Sequence, residues 1–451
     1  MAKMKRKRHQ LNPTQIIAIT FAAIIFVGTV LLALPFAARS GESIGVINAL
    51  FTATSATCVT GLTVGDTYSL FSGFGQIVII MLIEIGGLGF MSAASLVIFV
   101  LRKKIGLRQR MVMAQALSVN EMESVVRLQK WVLLGSLIIQ FTGAMVLFLR
   151  FLPDYGWSRA AKWGIFHAIS AFCNAGFDIF GYLEPGMSLV PLRDDPVVLI
   201  TLILLITVGG LGFFVWEEVL TRTRMKRLSA YTKLVLLMTV GILVVGTGLF
   251  LVLEWNNPET LGGLSVGSKI LNGIFQTTTL RTAGFFTVDQ AGLTDAGKAV
   301  SMVIMLIGGS SGSTAGGVKT VTFLVLILFL FARSRGQNTV NVFKRSIPQG
   351  KILDAATIVS IMVAMGLLGA IVITATCPVS FTDALFEAVS ALSTAGVTAG
   401  ATPLLTIPAQ LMIIVFMYFG RVGILTISLG FLAGNKADDR YRYADANLLI
   451  G

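Results

Sequence analysis

An all-α membrane protein, built from four parallel repeats of span, re-entrant loop and span, is the fold this sequence predicts. Three observations carry that reading. The 451-residue chain is 55% hydrophobic and only 13% charged, too little polar surface to cover a water-soluble protein of this size. Eight apolar segments meet the roughly 20 residues a helix needs to cross the hydrocarbon core: 15–38, 74–101, 130–152, 197–220, 231–254, 299–332, 354–377 and 404–433. Within each successive pair lies a short segment ending in glycine: ATSATCVTG at Gly61, HAISAFCNAG at Gly176, QTTTLRTAG at Gly284 and FEAVSALSTAG at Gly396. The interval is 115 residues from Gly61 to Gly176, 108 to Gly284 and 112 to Gly396.

The elements follow in order. Residues 1–14, with the basic run KMKRKRH, read as a cytoplasmic segment. The apolar run after it exceeds the roughly 7–15 residues of a signal-peptide core, so it reads as a retained span, cleavage near Ala38 being the alternative. Repeat 1 occupies 15–110 around Gly61, repeat 2 111–227 around Gly176, repeat 3 228–350 around Gly284 and repeat 4 351–435 around Gly396. A tail, 436–451, closes the chain.

Charge sets the orientation. Basic clusters at 3–8, 102–110, 222–227, 333–345 and 436–442 lie at the ends or between repeats, the pattern of cytoplasmic loops. The glycine segments carry Asp66, Asp154, Glu184, Asp194, Asp195, Glu259 and Asp289 instead. Both termini are therefore expected inside the cell membrane, with all four glycine segments facing out. Units that keep one orientation are parallel, unlike the inverted repeats of many secondary transporters. The predicted architecture is four span–pore-loop–span repeats around one pseudo-fourfold pore.

The net charge of +13 does not indicate nucleic acid, because the basic residues punctuate apolar runs; anionic lipid headgroups are the plainer partner. The three cysteines, Cys58, Cys173 and Cys377, lack metal-ligand spacing, and His9 and His167 are the only histidines. Nothing suggests an enzyme or an organic cofactor.

Aligned on the glycine, the segments agree in chemistry. Ten residues earlier stand Phe51, Phe166, Ile274 and Phe386; six earlier, Ser55, Ser170, Thr278 and Ser390; immediately after, Leu62, Phe177, Phe285 and Val397. A segment of about ten residues is too short to span but long enough for a re-entrant helix. A cation shedding water needs oxygens, which inward-facing carbonyls supply; glycine tolerates the backbone angles this requires. The candidate filter comprises Val59, Thr60, Gly61, Asn174, Ala175, Gly176, Thr282, Ala283, Gly284, Thr394, Ala395 and Gly396.

On VTGLT (59–63), SAFCNAGF (170–177), RTAGF (281–285) and STAGV (393–397) the chain resembles the Trk/Ktr/HKT superfamily of potassium transporters. IGGLGF (85–90), GGSSGSTAGGVKT (308–320) and FGRVGILT (419–426) extend the likeness, which is strongest to the membrane subunits of bacterial Ktr systems. It implies K+ as the transported ion, with Na+ influence; a Na+-conducting or weakly selective channel is the alternative. Glycine at all four filter positions favours K+, since serine at the first is associated with Na+ preference in that family. The resemblance also implies a homodimer, a cytosolic ring of nucleotide-binding (RCK/KTN-type) regulatory subunits, and an ordered tail at the dimer interface.

A second glycine set follows each filter segment: Gly86-Gly87, Gly209-Gly210, Gly308-Gly309 and Gly420. The third copy runs on as Gly308, Gly309, Ser310, Ser311, Gly312, Ser313, Thr314, Ala315, Gly316 and Gly317. Five glycines in ten residues, each costing about 1 kcal/mol in a helix, predict a break; the resemblance makes this intramembrane loop the gate. Arg421 matches the family's arginine below the filter, tying the loop or opposing cations, or else pairing with a carboxylate such as Glu84. Lys319 is expected to anchor the loop or to snorkel inward. Arg281 is expected to point away from the axis towards a helix end or an acid. Asp66, Asp178 and Asp289 are expected in outer loops, with a possible role in gathering cations.

Overall fold

The computed structural model describes residues 13–89, 125–221 and 228–423. Helices dominate: α1 (Pro13–Leu32), α2 (Val46–Thr57), the single turn α3 (Thr67–Leu70), α4 (Gly73–Leu88), α5 (Val125–Phe172), α6 (Pro196–Leu211) and α7 (Phe213–Thr221). Then come α8 (Ala230–Glu254), α9 (Val266–Thr279), α10 (Asp295–Leu306), α11 (Thr320–Ser334), the small hairpin β1 (Asn341–Val342) and β2 (Arg345–Ser346), α12 (Gln349–Thr376), α13 (Phe381–Ser393) and α14 (Ile407–Val422). The basic clusters 3–8, 102–110, 222–227 and 436–442 and the tail 436–451 lie outside the described residues.

Hydroxyl and carboxylate caps fix where many helices begin, satisfying backbone donors that a first turn leaves free. Ser72 accepts from Gly75 N, Asp195 from Val197 N and Val198 N, Ser229 from Thr232 N, Ser265 from Ser268 N, Thr294 from Gly297 N and Ser380 from Asp383 N. Among the described residues Thr14–Leu32, Gln129–Phe172, Ala230–Glu254 and Gln349–Thr376 are long and apolar enough to cross a membrane. Their apolar stretches are no more than 39% buried, and Phe26, Phe141, Val244 and Val252 are two-thirds or more exposed. Such faces suit lipid, where burial among protein is not required.

The sequence reading needs correction in how the spans are built. Segment 130–152 does not end as a free helix: α5 carries it through Pro153 to a break at Gly156 (φ 72°) and directly into the re-entrant helix ending at Phe172. Segment 197–220 is not one straight span, because α6 and α7 meet at 96°. Segment 299–332 is broken as its glycines predict, into two helices, α10 and α11, separated by the glycine-rich loop. The helices beginning 74–101 and 404–433 stop at Leu88 and Val422 within the described residues. Gly89, Gly212 and Gly423 terminate α4, α6 and α14 at φ of 81°, 95° and 93°, a left-handed region where a Cβ is strained.

The glycines just before those ends admit a neighbouring backbone. A Cβ on Gly86 would fall on the Thr57 carbonyl, one on Gly209 on that of Phe172, and one on Gly420 on that of Leu392. Each carbonyl belongs to the residue four before one of the glycines Gly61, Gly176 and Gly396. The helix ends therefore abut only because no side chain separates them. Gly86→Ala is expected to lower stability by about 1–3 kcal/mol, the usual cost of overpacking, because backbone cannot yield as a side-chain tip does; thermal unfolding in detergent measures it.

The short buried helices also pack across segments. The carboxy-terminal part of α5 meets α4, α9 meets α6, α13 meets α10, and α2 meets α14. Every short helix thus touches the second helix of the preceding segment, and the last segment returns to the first. Lys298 on α10 binds Asp383 on α13 at 2.7 Å within this pattern.

Candidate functional site

Each short helix ends where its chain turns left-handed two residues before the glycine. Val59, Asn174, Thr282 and Thr394 have φ of 56°, 59°, 70° and 52°, and Gly61, Gly176, Gly284 and Gly396 have φ of 101°, 72°, 82° and 81°. Three of these endings are Schellman turns. Thr60 N donates to Ser55 O, Ala175 N to Ser170 O and Ala395 N to Ser390 O, each at 2.8 Å, while Val59 N, Asn174 N and Thr394 N donate to Ala56 O, Ala171 O and Ala391 O. The third differs: Ala283 N donates to Thr279 O. β-Branched Val59, Thr282 and Thr394 are unusual in the left-handed region; the sequence reading placed these residues in the candidate filter, but not their left-handed turn, because no glycine marks it.

The four turns converge. A Cβ built on Gly61 would lie 2.8 Å from the Ala175 carbonyl oxygen, one on Gly176 2.8 Å from that of Ala283, one on Gly284 3.3 Å from that of Ala395, and one on Gly396 against that of Thr60. Each glycine therefore faces the carbonyl preceding the next glycine, and the fourth faces the first. Of the twelve residues named from the sequence, the four glycines and the carbonyls of Thr60, Ala175, Ala283 and Ala395 meet here, and Val59, Asn174, Thr282 and Thr394 form the turns just before them. A cavity of about 150 Å³ opens on the ring, lined by all four glycines together with Asp66 and Asp178.

The hydroxyls six residues before the glycines, alike in sequence, act differently. Ser55 Oγ accepts from Gly61 N at 3.1 Å, Ser170 Oγ donates to Phe177 O at 2.7 Å and Thr278 Oγ1 donates within its own helix to Ile274 O. Ser390 Oγ has no partner among the described residues.

Below the ring lies the loop between α10 and α11. Ile307 and Val318 pair across its base. Ser310 N donates to Gly210 O at 3.0 Å, Thr314 N to Gly209 O, and Phe213 N to Gly312 O at 2.8 Å. Thr314 Oγ1 donates to Phe172 O at 3.1 Å. A Cβ on Gly316 would strike the Thr394 hydroxyl, and one on Gly317 would lie 3.1 Å from Ser393 O. The loop is thus wedged against the ends of two short helices. Arg421 donates to the carbonyls of Thr314, Gly86 and Gly87, the last at 2.9 Å. Lys319 Nζ donates to Ala315 O at 2.8 Å, the anchoring expected of it.

Three charged residues need comment. Among the described residues Arg421 has no carboxylate partner: the carbonyls left free at the end of α4 and that of Thr314 accept its hydrogen bonds. Glu84 instead accepts from Gln140 Nε2 at 3.0 Å and Cys173 Sγ at 3.3 Å, so the suggested Glu84–Arg421 pair does not form. Arg281 is buried, and among the described residues its Nε and Nη2 have no hydrogen-bond partner, neither an acid nor a helix end. The next acid in sequence, Asp289, is committed to Ala291 N. Asp66 caps α3 through Ser69 N and Asp178 accepts from Phe180 N, so all three outer aspartates serve loop structure, two of them also lining the cavity.

Long helices with outward apolar faces, surrounding re-entrant helices whose carbonyls close a ring, define a multi-pass membrane protein of the transport class. The chain belongs to the TrkH family of cation transport proteins, whose profile matches residues 2–438. It is 39% identical to the potassium/sodium uptake protein NtpJ of Enterococcus hirae over 99% of both chains. It is also 39% identical to the Ktr system potassium uptake protein B of Bacillus subtilis, over 98% of this chain and 97% of that one. The crystal structure of the potassium transporter TrkH from Vibrio parahaemolyticus shares the fold, with a TM-score of 0.72 at 18% identity over 95% of this chain and 86% of that one. The family moves cations, and the chain is not an enzyme.

Proposed function

We propose that this chain is the K+-translocating membrane subunit of a Ktr-type uptake system, passing ions through a four-glycine selectivity filter at the centre of four pseudo-fourfold repeats. One observation carries the proposal: the carbonyls of Thr60, Ala175, Ala283 and Ala395 each lie against the glycine of an adjacent segment, in an order that closes on itself. Four oxygens at one level are what a dehydrating cation requires. The carboxy-terminal ends of the short helices add negative potential below them. The repeats are 15–110, 111–227, 228–350 and 351–435, the gate is the 308–317 loop with Arg421, and both termini are cytoplasmic at the cell membrane. Names of relatives support K+ as cargo, Na+ influence and further Ktr components; a homodimer on a cytosolic nucleotide-binding ring fits that reading. A weakly selective or Na+-conducting channel is the second reading, favoured by the potassium/sodium name of the Enterococcus relative.

Flux into liposomes carrying the purified protein separates these readings: selective K+ movement is expected, and equal K+ and Na+ flux overturns the first. The same assay has a pH signature. Burial, aided by the neighbouring Asp66 charge, pushes the Asp178 carboxyl up to about 6. A carboxyl raised in this way is neutral below that value and negative above it, so the mouth gains a cation-gathering charge as pH rises. K+ flux at low K+ is expected to rise roughly twofold through this range, and Asp178→Asn to flatten the profile.

A further inference from the structure

Three of the four short helices carry a fully buried polar side chain, midway along the helix or in its second half, that reaches forward past the candidate filter glycine. His167 stands nine residues before Gly176, Gln276 eight before Gly284 and Glu387 nine before Gly396, and none is accessible to solvent. His167 Nε2 accepts from Ile179 N at 3.2 Å while Nδ1 contacts Trp163 O at 2.7 Å. Donation by Nδ1 leaves Nε2 free to accept. Its ring stacks on Phe180, centroids 3.7 Å apart. Gln276 and Gln290 exchange two amide hydrogen bonds at 2.6 and 3.2 Å, and Gln290 also donates to Val288 O at 2.7 Å. Glu387 accepts from Thr398 Oγ1 at 2.7 Å and from the Thr402 hydroxyl. The first segment has no counterpart: Thr52, nine residues before Gly61, returns its hydroxyl to Asn48 O in its own helix.

We infer that His167, Gln276 and Glu387 are positioning residues for ion selectivity, each tying the strand beyond a filter glycine back to the helix before it. The inference rests on reading the four glycines as the filter. The ties use different chemistry, a ring nitrogen, an amide pair and a carboxylate, for one mechanical purpose. Hydrogen bonds in a low-dielectric interior are strong and leaving one unmade is costly, so each strand is held at a fixed distance from its helix. A carbonyl ring held from behind on three sides cannot contract around Na+, the smaller ion, whereas K+ fits it as built. Glu387 is the most telling of the three, because an ionisable group at membrane depth is retained only where it has a task. Among the described residues the first segment is held only at the glycine itself, where Ser55 Oγ accepts from Gly61 N, which makes the strand after Gly61 the more compliant side of the ring.

The test compares K+ and Na+ flux in liposomes for Glu387→Gln, Thr398→Val and the double variant, with Thr52→Val as control. Each single change is expected to lower the K+/Na+ flux ratio about fivefold, the scale of one hydrogen bond, with total cation flux retained. The double variant should lower it no further, because both changes cut one tie. Thr52→Val should leave the ratio unchanged. Wild-type selectivity in folded Glu387→Gln and Thr398→Val, or additive losses in the double variant, overturns the inference. Should Glu387→Gln not fold, Thr398→Val decides alone, since it keeps the carboxylate and the Thr402 hydroxyl. Gly176→Ser is run in parallel. If it too leaves the ratio unchanged, the filter reading fails; if only Gly176→Ser lowers the ratio, the filter stands and the ties do not.

Discussion

Gly396→Ala is expected to cut K+ flux on the order of 100-fold while the protein still assembles in the membrane. The added Cβ would fall on the Thr60 carbonyl and lie 2.9 Å from Gly61 Cα, so it displaces one of the four oxygens instead of a yielding side chain. The φ of 81° at Gly396 adds about 1–2 kcal/mol of left-handed strain for any residue with a Cβ. At about 1.4 kcal/mol per factor of ten, that strain together with one misplaced ligand accounts for the loss. Gly61→Ser acts more mildly, since its Cβ would lie 2.8 Å from the Ala175 oxygen, and should reduce K+ preference over Na+ before it stops flux. Folded Gly396→Ala protein with wild-type flux would mean that ions do not pass this ring.

Arg421→Gln is expected to raise flux in the absence of any regulatory subunit by about tenfold. Its guanidinium joins three parts of the chain, bonding the Gly86 and Gly87 carbonyls at the end of α4 and the Thr314 carbonyl in the middle of the loop. Removing it frees the loop and deletes a positive charge below the ring. Two unit charges 4 Å apart at an effective dielectric of 20 interact by about 4 kcal/mol, and a third of that is tenfold in rate. Arg421→Lys separates the two causes. Lysine keeps the charge but, as a single flexible ammonium, does not reproduce the planar fork that spans several carbonyls. Flux in the lysine variant close to that of glutamine assigns the barrier to the tie; flux close to wild type assigns it to charge. A glutamine variant with unchanged or reduced flux sinks the gate reading.

Much of the site was legible because ions and membranes impose repeated local chemistry. The glycine at each filter position announces itself, since only that residue leaves room for a neighbouring carbonyl, and the spacing follows from packing two helices around each segment. The loop at 308–317 was legible for the same reason: glycine density breaks a helix wherever it occurs. The left-handed turns at Val59, Asn174, Thr282 and Thr394 were hidden, because β-branched residues ordinarily avoid that region and are held there by packed surroundings and, at Val59 and Thr394, by Schellman bonds. The bend at Gly212 was hidden as well, because hydropathy runs smoothly through α6 and α7 and records no direction.

Charged residues divide the same way. Lys319 is four residues from its partner Ala315, and its role followed from local reach. Glu84 and Arg421 looked like a pair on the grounds that opposite charges in hydrocarbon should meet. In the folded chain each finds neutral partners instead, an amide and a thiol for one and carbonyls for the other, because those groups are what neighbouring segments present at that depth. Among the described residues Arg281 Nε and Nη2 likewise find no hydrogen-bond partner.

By itself the sequence determined the membrane class, the number of repeated segments, the glycines at their centres and the site of the helix break. These depend on composition, on period and on the intrinsic cost of glycine in a helix, all of which are local. Tertiary structure alone decided which carbonyl faces which glycine, how the fourth segment returns to the first, and which groups hold Arg421, Glu84 and the loop. Those contacts join residues as much as 336 positions apart, Gly396 to Thr60, and arise only when close helix packing brings unlike segments together.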